Sequence, residues 1–265
     1  MIRRLTELDR QSVLDYLYQE QAFNIFPIGD IETFGFDKDF QRVYADFDSL
    51  GNYKSIFLRY RNNAIYYSKT NDFNPDYFKI FKDDPFDFIS GKAELFEMIE
   101  SALKDFKKDV MYFVEADTLR SNKNNFPYEI KQLKTAKEAE KLFYLFQKIK
   151  EFAPYHSDLD NFIEAKMNSI NMGMTLYIED SGKIIASAGS TAETTKSAMV
   201  VAVATDPNYR KLGLASNLLE ELLRIYLTQK KKTLCLFYDN PEAGSIYKRL
   251  GFKYLGMWNI YRKRK

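Results

Sequence analysis

The sequence predicts an α/β fold, of the α+β kind, in which two tandem domains repeat one order of elements. Three observations carry this. A chain of 265 residues with 45% hydrophobic and 16% aromatic content can fill one large or two modest cores. The order strand, two helices, three antiparallel strands, helix, strand can be traced in the first half and again in the second. Between residues 200 and 226 an apolar run stops at Asp206-Pro207, a polar loop follows, and Leu214, Leu218, Leu219, Leu222, Leu223 and Tyr226 then recur at helical spacing.

In the first half, residues 1–5 read as a strand, and Thr6 with Asp9 opens a helix on which Val13, Leu14 and Leu17 share a face. A second helical segment covers 21–34, with an interruption expected at Pro27 and Gly29. Strands follow at 42–47, 55–60 and 64–67, separated by Gly51-Asn52 and Arg61-Asn62-Asn63 turns. A stretch rich in Phe and Asp leads to a helix at 93–103 and a strand at 110–115. The polar segment 121–127 is the natural linker. It divides the chain into domains at 1–120 and 128–265.

The second half opens with a strand at 128–133 and helices at 135–150 and 159–170. Thr135 with Glu138 fits a capping box. A meander at 175–179, 183–190 and 198–204 leads into the loop and the helix from Leu214. A strand at 233–238 is broken by Asp239-Asn240-Pro241, and a short helix at 243–250 closes on Gly251.

The loop between strand and helix carries Arg210, Lys211 and Gly213 where the helix begins. Unpaired amides in a helix's first turn, with the positive end of its dipole, favour an anion. Gly213 permits a positive φ or a close backbone approach, and Ala215 keeps the next position small. Neither G-x-x-x-x-G-K-[ST] nor G-x-G-x-x-G occurs here.

The hexamer Arg210-Lys211-Leu212-Gly213-Leu214-Ala215 resembles the R/Q-x-x-G-x-G/A loop of the GNAT N-acetyltransferase superfamily, and V-A-T-x-P precedes it. Downstream, N-P-E-A-G-S-I-Y-K-R-L-G-F resembles that family's N-x-x-A-x-x-x-Y-x-K/R-x-G-F block. The opening I-R-R-L…F-P-I-G-D-I-E-T-F-G resembles the first half of two-domain GNAT-like proteins. The resemblance implies two GNAT-like domains, each a mixed, mostly antiparallel central sheet flanked by helices. It also implies acetyl transfer from acetyl-coenzyme A, as cosubstrate, directly to the primary amine of a small molecule or peptide.

On that resemblance, Arg210, Lys211, Leu212 and the amides of Gly213, Leu214, Ala215 and Ser216 hold the phosphates. Val203, Ala204 and Thr205 pair their backbone with the pantetheine arm, and Asn240 contacts the cofactor, where it is otherwise a turn residue. Tyr247 matches the tyrosine proposed as general acid to the leaving thiolate, since a phenol can return a proton to sulfur. The base is less defined. Glu193, Asp206 and the lone His156 are the candidates, with a water chain as the alternative. In the first half, the segment 83–92 has Gly91 and Lys92 but no R-x-x-G-x-G/A, and Asp83, Asp84 and Asp87 repel a pyrophosphate, so this half has lost cofactor binding.

Composition narrows the classes. With 39 Lys+Arg against 37 Asp+Glu the net charge is +2, which gives no general attraction to nucleic acid or membrane. The runs 230–232 and 261–265 read as solvated ends. One cysteine and one histidine exclude an internal disulfide and the usual zinc shell, so no metal is expected. Cys235 reads as a small strand hydrophobe. No apolar run reaches membrane-spanning length and no leader opens the chain, so a cytoplasmic protein is expected. A homodimer is left open. Two other functions stay in play: a non-catalytic acyl-coenzyme A sensor or scaffold, and a Fem-type aminoacyl or peptidyl transferase using charged transfer RNA.

Overall fold

The computed structural model describes residues 1–120, 126–155 and 158–264; the expected linker therefore lies largely outside the described residues. The chain forms two compact units. The first comprises residues 1–114, 237–239 and 254–265, and the second 115–236 and 240–253. The chain's last strand thus counts with the first unit.

The first unit runs β1 (Ile2–Arg4), α1 (Arg10–Leu17), α2 (Ile25–Phe34), β2 (Gln41–Phe47), β3 (Tyr53–Tyr60), β4 (Asn63–Ser68), α3 (Tyr77–Asp83), β5 (Phe88–Lys92), α4 (Ala93–Glu97) and β6 (Phe106–Ala116). The second runs β7 (Ile130–Gln132), α5 (Ala136–Gln147), α6 (Leu159–Asn168), β8 (Thr175–Asp180), β9 (Lys183–Thr191), β10 (Ser197–Thr205), α7 (Leu214–Leu223), β11 (Thr233–Tyr238) and α8 (Pro241–Leu250), before β12 (Lys253–Lys263). Strands of the first unit lie in the order β1-β2-β3-β4-β5-β12-β6, and those of the second in the order β11-β10-β9-β8-β7. Each unit is a mixed, mostly antiparallel sheet flanked by helices.

The repeat expected from the sequence reaches into the registers. In each unit the third strand of the meander pairs in parallel with the strand that follows a helical crossover. In the first unit the pairs run from Asn63↔Phe88 to Ile65↔Ser90, and in the second from Ser197↔Thr233 to Met199↔Cys235. Both ladders stop after three pairs. The crossover helix of the first unit is α3, so α3 is the counterpart of α7.

That corrects the reading of 83–92 as the first half's cofactor loop. Residues 88–92 are strand β5, and the helix expected over 93–103 is only Ala93–Glu97. Nor is α2 interrupted at Pro27. The proline sits in the helix's first turn, where its missing N–H has no intrahelical partner to lose. The C-terminal run is not a solvated end throughout, because Tyr261 is buried in β12 and stacks on Phe96 at 5.1 Å.

In the second unit, Thr135 and Glu138 form the expected capping box. The Glu138 N–H donates to Thr135 Oγ1, and the Thr135 N–H donates to Glu138 Oε2 at 2.8 Å. The apolar face of α5 buries Ala139, Leu142, Leu145 and Phe146 in a core with Tyr177, Ile184 and Ala204. Leu214, Leu218, Leu219, Leu222 and Leu223 of α7 are all buried, each stabilising by about 2 kcal/mol. Past Leu223 the helix continues as a π-helix over Arg224–Lys230.

Candidate functional site

The site grows from the end of β10. Its pairing with β11 ends at Met199, while β10 runs six residues further, to Thr205. On the other edge the ladder with β9 skips between Val201 and Ala204, and Ala202 takes a φ of +56°. Such a bulge re-aims the strand's groups. The Ser187 hydroxyl donates to Ala202 O at 3.0 Å and holds the bulged peptide. Val201, an apolar residue in mid-strand, is left 36% exposed. Ala204 is buried, whereas Val203 and Thr205 are half-buried.

The following loop is pinned at two points. Asp206 is buried; its N–H donates to Ile185 O, and its carboxylate accepts from Lys148 Nζ at 2.6 Å and from the Asn208 N–H at 3.0 Å. Burial works to raise the Asp206 carboxyl, but these bonds outweigh it and hold it below the usual range. Asp206 is thus an anchor and not a free base. The Tyr209 hydroxyl donates to Asp180 Oδ2 at 2.7 Å.

Beyond these anchors Lys211 and Gly213 both turn into the left-handed region, at φ +66° and +77°. A Cβ on Gly213 would meet only Asn217 Nδ2, at 3.5 Å, so it is the backbone angle that asks for glycine there. Asn217 donates twice to Gly213 O, through its backbone N–H and its side chain. Among the described residues the N–H groups of Leu214, Ala215 and Ser216 have no acceptor, and Arg210 and Lys211 are exposed without an ion pair. Leu212 is exposed as well. The loop therefore offers three amides and two cations at the positive end of a ten-residue helix.

A third cation reaches the same turn. Arg249 of α8 donates from Nη2 to Ser216 Oγ at 2.9 Å. The sequence reading left Arg249 out, although the K/R position of the block it quoted marks this residue. Asn240 caps α8, its side chain accepting from the Glu242 N–H at 2.9 Å. Tyr247 is buried on α8 and meets Phe252 edge-on at 5.8 Å.

The structure separates Glu193 from this group. Glu193 stands beyond the opposite end of β10, roughly 25 Å from Thr205 at about 3.3 Å of rise per residue. Its carboxylate accepts from Lys230 Nζ at 2.7 Å, Lys232 Nζ at 2.8 Å and the Tyr226 hydroxyl at 2.8 Å. Burial pushes its carboxyl up, but these three donors outweigh it and leave the carboxyl below its ordinary value. Such a group, already committed to three donors, is a poor proton acceptor. Two lysines of the 230–232 run are likewise partners of Glu193 and not solvated ends. His156 lies outside the described residues. Cys235 is buried, which pushes its thiol well up and removes it as a nucleophile.

The first unit lacks both features at its equivalent positions. The first amides of α3 are already bonded: Tyr77 N–H to Asn74 O at 3.1 Å, Phe78 N–H to Pro75 O at 3.0 Å, and Lys79 N–H to Asp76 O at 3.2 Å. The segment 69–76 contains no arginine and no glycine. Just past the last paired residues, Tyr67 of β4 and Lys92 of β5 converge on one oxygen, Glu20 Oε2, at 2.7 and 2.5 Å. The two diverging strands are stitched together there. Asp84 is paired with Arg42 and Arg59, and Asp87 accepts from Asn62.

Residues 138–252 match the model of the acetyltransferase (GNAT) family. A GCN5-related N-acetyltransferase-like protein from Streptococcus suis superposes with a TM-score of 0.62 at 15% identity, over 97% of this chain and 100% of that one. A GCN5-related N-acetyltransferase from Sphaerobacter thermophilus gives 0.64 at 12% identity, over 99% and 95%. A tandem GNAT protein from the clavulanic acid biosynthesis pathway gives 0.58 at 10% identity, over 98% and 97%. At these identities the likeness is one of fold. No curated protein matches the chain. Among the described residues no helix is long and apolar enough to cross a membrane, and no group of three His, Cys, Asp or Glu could hold a metal ion.

Proposed function

Because residues 138–252 form a GNAT-family acetyltransferase domain, we propose that the protein transfers an acetyl group from acetyl-coenzyme A directly to a primary amine. One observation supports this most: the three unengaged amides of Leu214, Ala215 and Ser216, behind Gly213 at φ +77° and beside Arg210, Lys211 and Arg249. These groups match the charge of a pyrophosphate. The edge of β10 past Met199, left without its parallel partner, offers Val203, Ala204 and Thr205 backbone to the pantetheine amides.

In the reaction the amine nitrogen bonds to the thioester carbonyl carbon, the carbon–sulfur bond breaks, and the thiolate takes up a proton. A backbone N–H at the bulge suits the carbonyl oxygen as its charge grows. Tyr247 is the proposed proton donor to sulfur. With Glu193 and Asp206 both held by lysines, the routes left for the amine's proton are His156, which lies outside the described residues, a water chain, or entry of the amine uncharged. The first unit, whose α3 amides are engaged and whose cleft is closed by Tyr67, Lys92 and Glu20, takes no cofactor in this reading.

The test mixes the protein with acetyl-coenzyme A and a library of primary amines and follows free thiol. Amine-dependent thiol release is the expected result. Binding of acetyl-coenzyme A without release from any amine would make the protein a sensor. Absence of binding would sink both readings and turn attention to charged transfer RNA.

A further inference from the structure

The inner face of α6 carries one residue that packing does not explain. The positions withdrawn from solvent are Leu159, Phe162, Ile163, Lys166, Met167 and, just past the helix, Ile170, while Asp160, Asn161, Glu164, Ala165 and Asn168 are exposed. This is the i, i+3, i+4 stripe of a helix turned towards a core. Phe162 and Ile163 lean on the α5 core, with Phe162 5.5 Å from Phe143 and 5.8 Å from Phe146. That same core takes in Ala204 and, at its margin, Ala202 of the β10 bulge.

Lys166 is the one charged residue on the stripe, one turn beyond Phe162 and Ile163. No hydrogen bond or ion pair engages its ammonium among the described residues. Three charges of α5 and its C-cap are committed elsewhere, Lys141 to Glu179, Lys148 to Asp206, and Glu138 to Tyr177, and the acidic residues of α6 itself, Asp160 and Glu164, lie on its exposed face. Half-burying an ammonium with no counter-charge costs free energy that a leucine or methionine would not. The same burial draws its proton affinity below the ordinary lysine value.

We infer that Lys166 recognises an anionic group on the acyl acceptor, and that the acceptor is accordingly an amine bearing a carboxylate, of the amino-acid class. A single ammonium, with no second cation or arginine fork on the stripe, suits one carboxylate rather than a phosphate. The bound carboxylate supplies the counter-charge the stripe lacks. The stripe it would join packs, through Phe162 and Ile163, on the same core as Ala204 and Ala202 of β10. This inference rests on the acetyltransferase reading above.

The experiment compares glycine, alanine, leucine, phenylalanine and glutamine, each against its own carboxamide, by thiol release in the wild type, Lys166→Met and Lys166→Arg. Methionine keeps the stem in the stripe and removes the charge. Wild type is expected to prefer at least one acid over its amide by tenfold or more in kcat/KM. Lys166→Met collapses that ratio towards one, chiefly through KM for the acid, and Lys166→Arg restores most of it. An acid-to-amide ratio unchanged in Lys166→Met overturns the inference, as does a wild type that acetylates none of the acids. An acetyl-coenzyme A-dependent rise in melting temperature, measured in parallel on wild type and Lys166→Met, separates the two claims. If that rise is absent from the wild type, the cofactor reading itself has failed. If it is present in both while the ratio does not move, only the role of Lys166 has.

Discussion

Glu193 shows how much a single carboxylate's partners decide. In the sequence it is an acidic residue in a turn of the meander, which makes it a candidate base. In the structure three donors converge on it, and Tyr226 passes the contact on to Ser190 Oγ at 2.7 Å. Its work is to tie the β9–β10 turn to the far end of the α7 helix. Glu193→Gln should therefore cost stability, by about 1–3 kcal/mol in urea unfolding, because two lysines lose their carboxylate. It should leave kcat within about threefold of wild type, since the change lies far from the proposed chemistry. A hundredfold fall in kcat in a variant of normal stability would return Glu193 to the catalytic role denied it here.

Among elements, the connection from β10 to α7 is held by Asp206, and this has a consequence in acid. The Asp206 carboxyl is depressed in the folded chain. Its contribution is therefore present above the unfolded carboxylate value of about 4 and is lost as pH falls through the lower folded value. Lys148→Met leaves a buried carboxylate without its cation. The variant should lose about 2 kcal/mol at pH 7 and show a shallower further decline between pH 5 and 3 than wild type. Equal stability at pH 7 with parallel acid slopes would remove the anchor role.

Elements with strong periodicity were legible in the sequence. The five leucines of α7, the Thr135 box and the second meander were all placed within a few residues. Three elements were not. Helix α3 lies in a Phe- and Asp-rich stretch that lacks an apolar alternation or a capping signature, and its packing is aromatic: its Tyr77 and Phe81 meet Phe57, and Phe81 also meets Phe86. Strand β5 reads F-I-S-G-K, whose Ser-Gly pair is a turn signal. There Gly91 instead accommodates the Tyr66 carbonyl, which a Cβ would approach to 2.6 Å. Strand β12 ends in a basic run that looks like a tail, yet Trp258–Arg262 pair with β5 over five positions.

At the scale of the molecule, a duplicated architecture carries one proposed cofactor site. The loop of the second half was legible because a glycine in the left-handed region and exposed cations at a helix start leave a mark in the sequence, at Gly213, Arg210 and Lys211. Their silence in the first half was read from the wrong segment, since only the parallel β4–β5 register identifies α3 as the crossover. The proposal that the first unit takes no cofactor rests on different atoms: amides already bonded at α3, and Tyr67 and Lys92 meeting on Glu20. Both observations bear on stoichiometry.

The most direct measurement is calorimetric titration of acetyl-coenzyme A into the wild type and into Arg210→Glu combined with Gly213→Asp. The double variant reverses a charge, adds another and strains a left-handed position, so its fold should be checked by circular dichroism in parallel. The account predicts one site per chain in the wild type, and at least a hundredfold weaker binding in the folded variant. Two sites per chain, no binding to the wild type, or undiminished binding to the variant would contradict it.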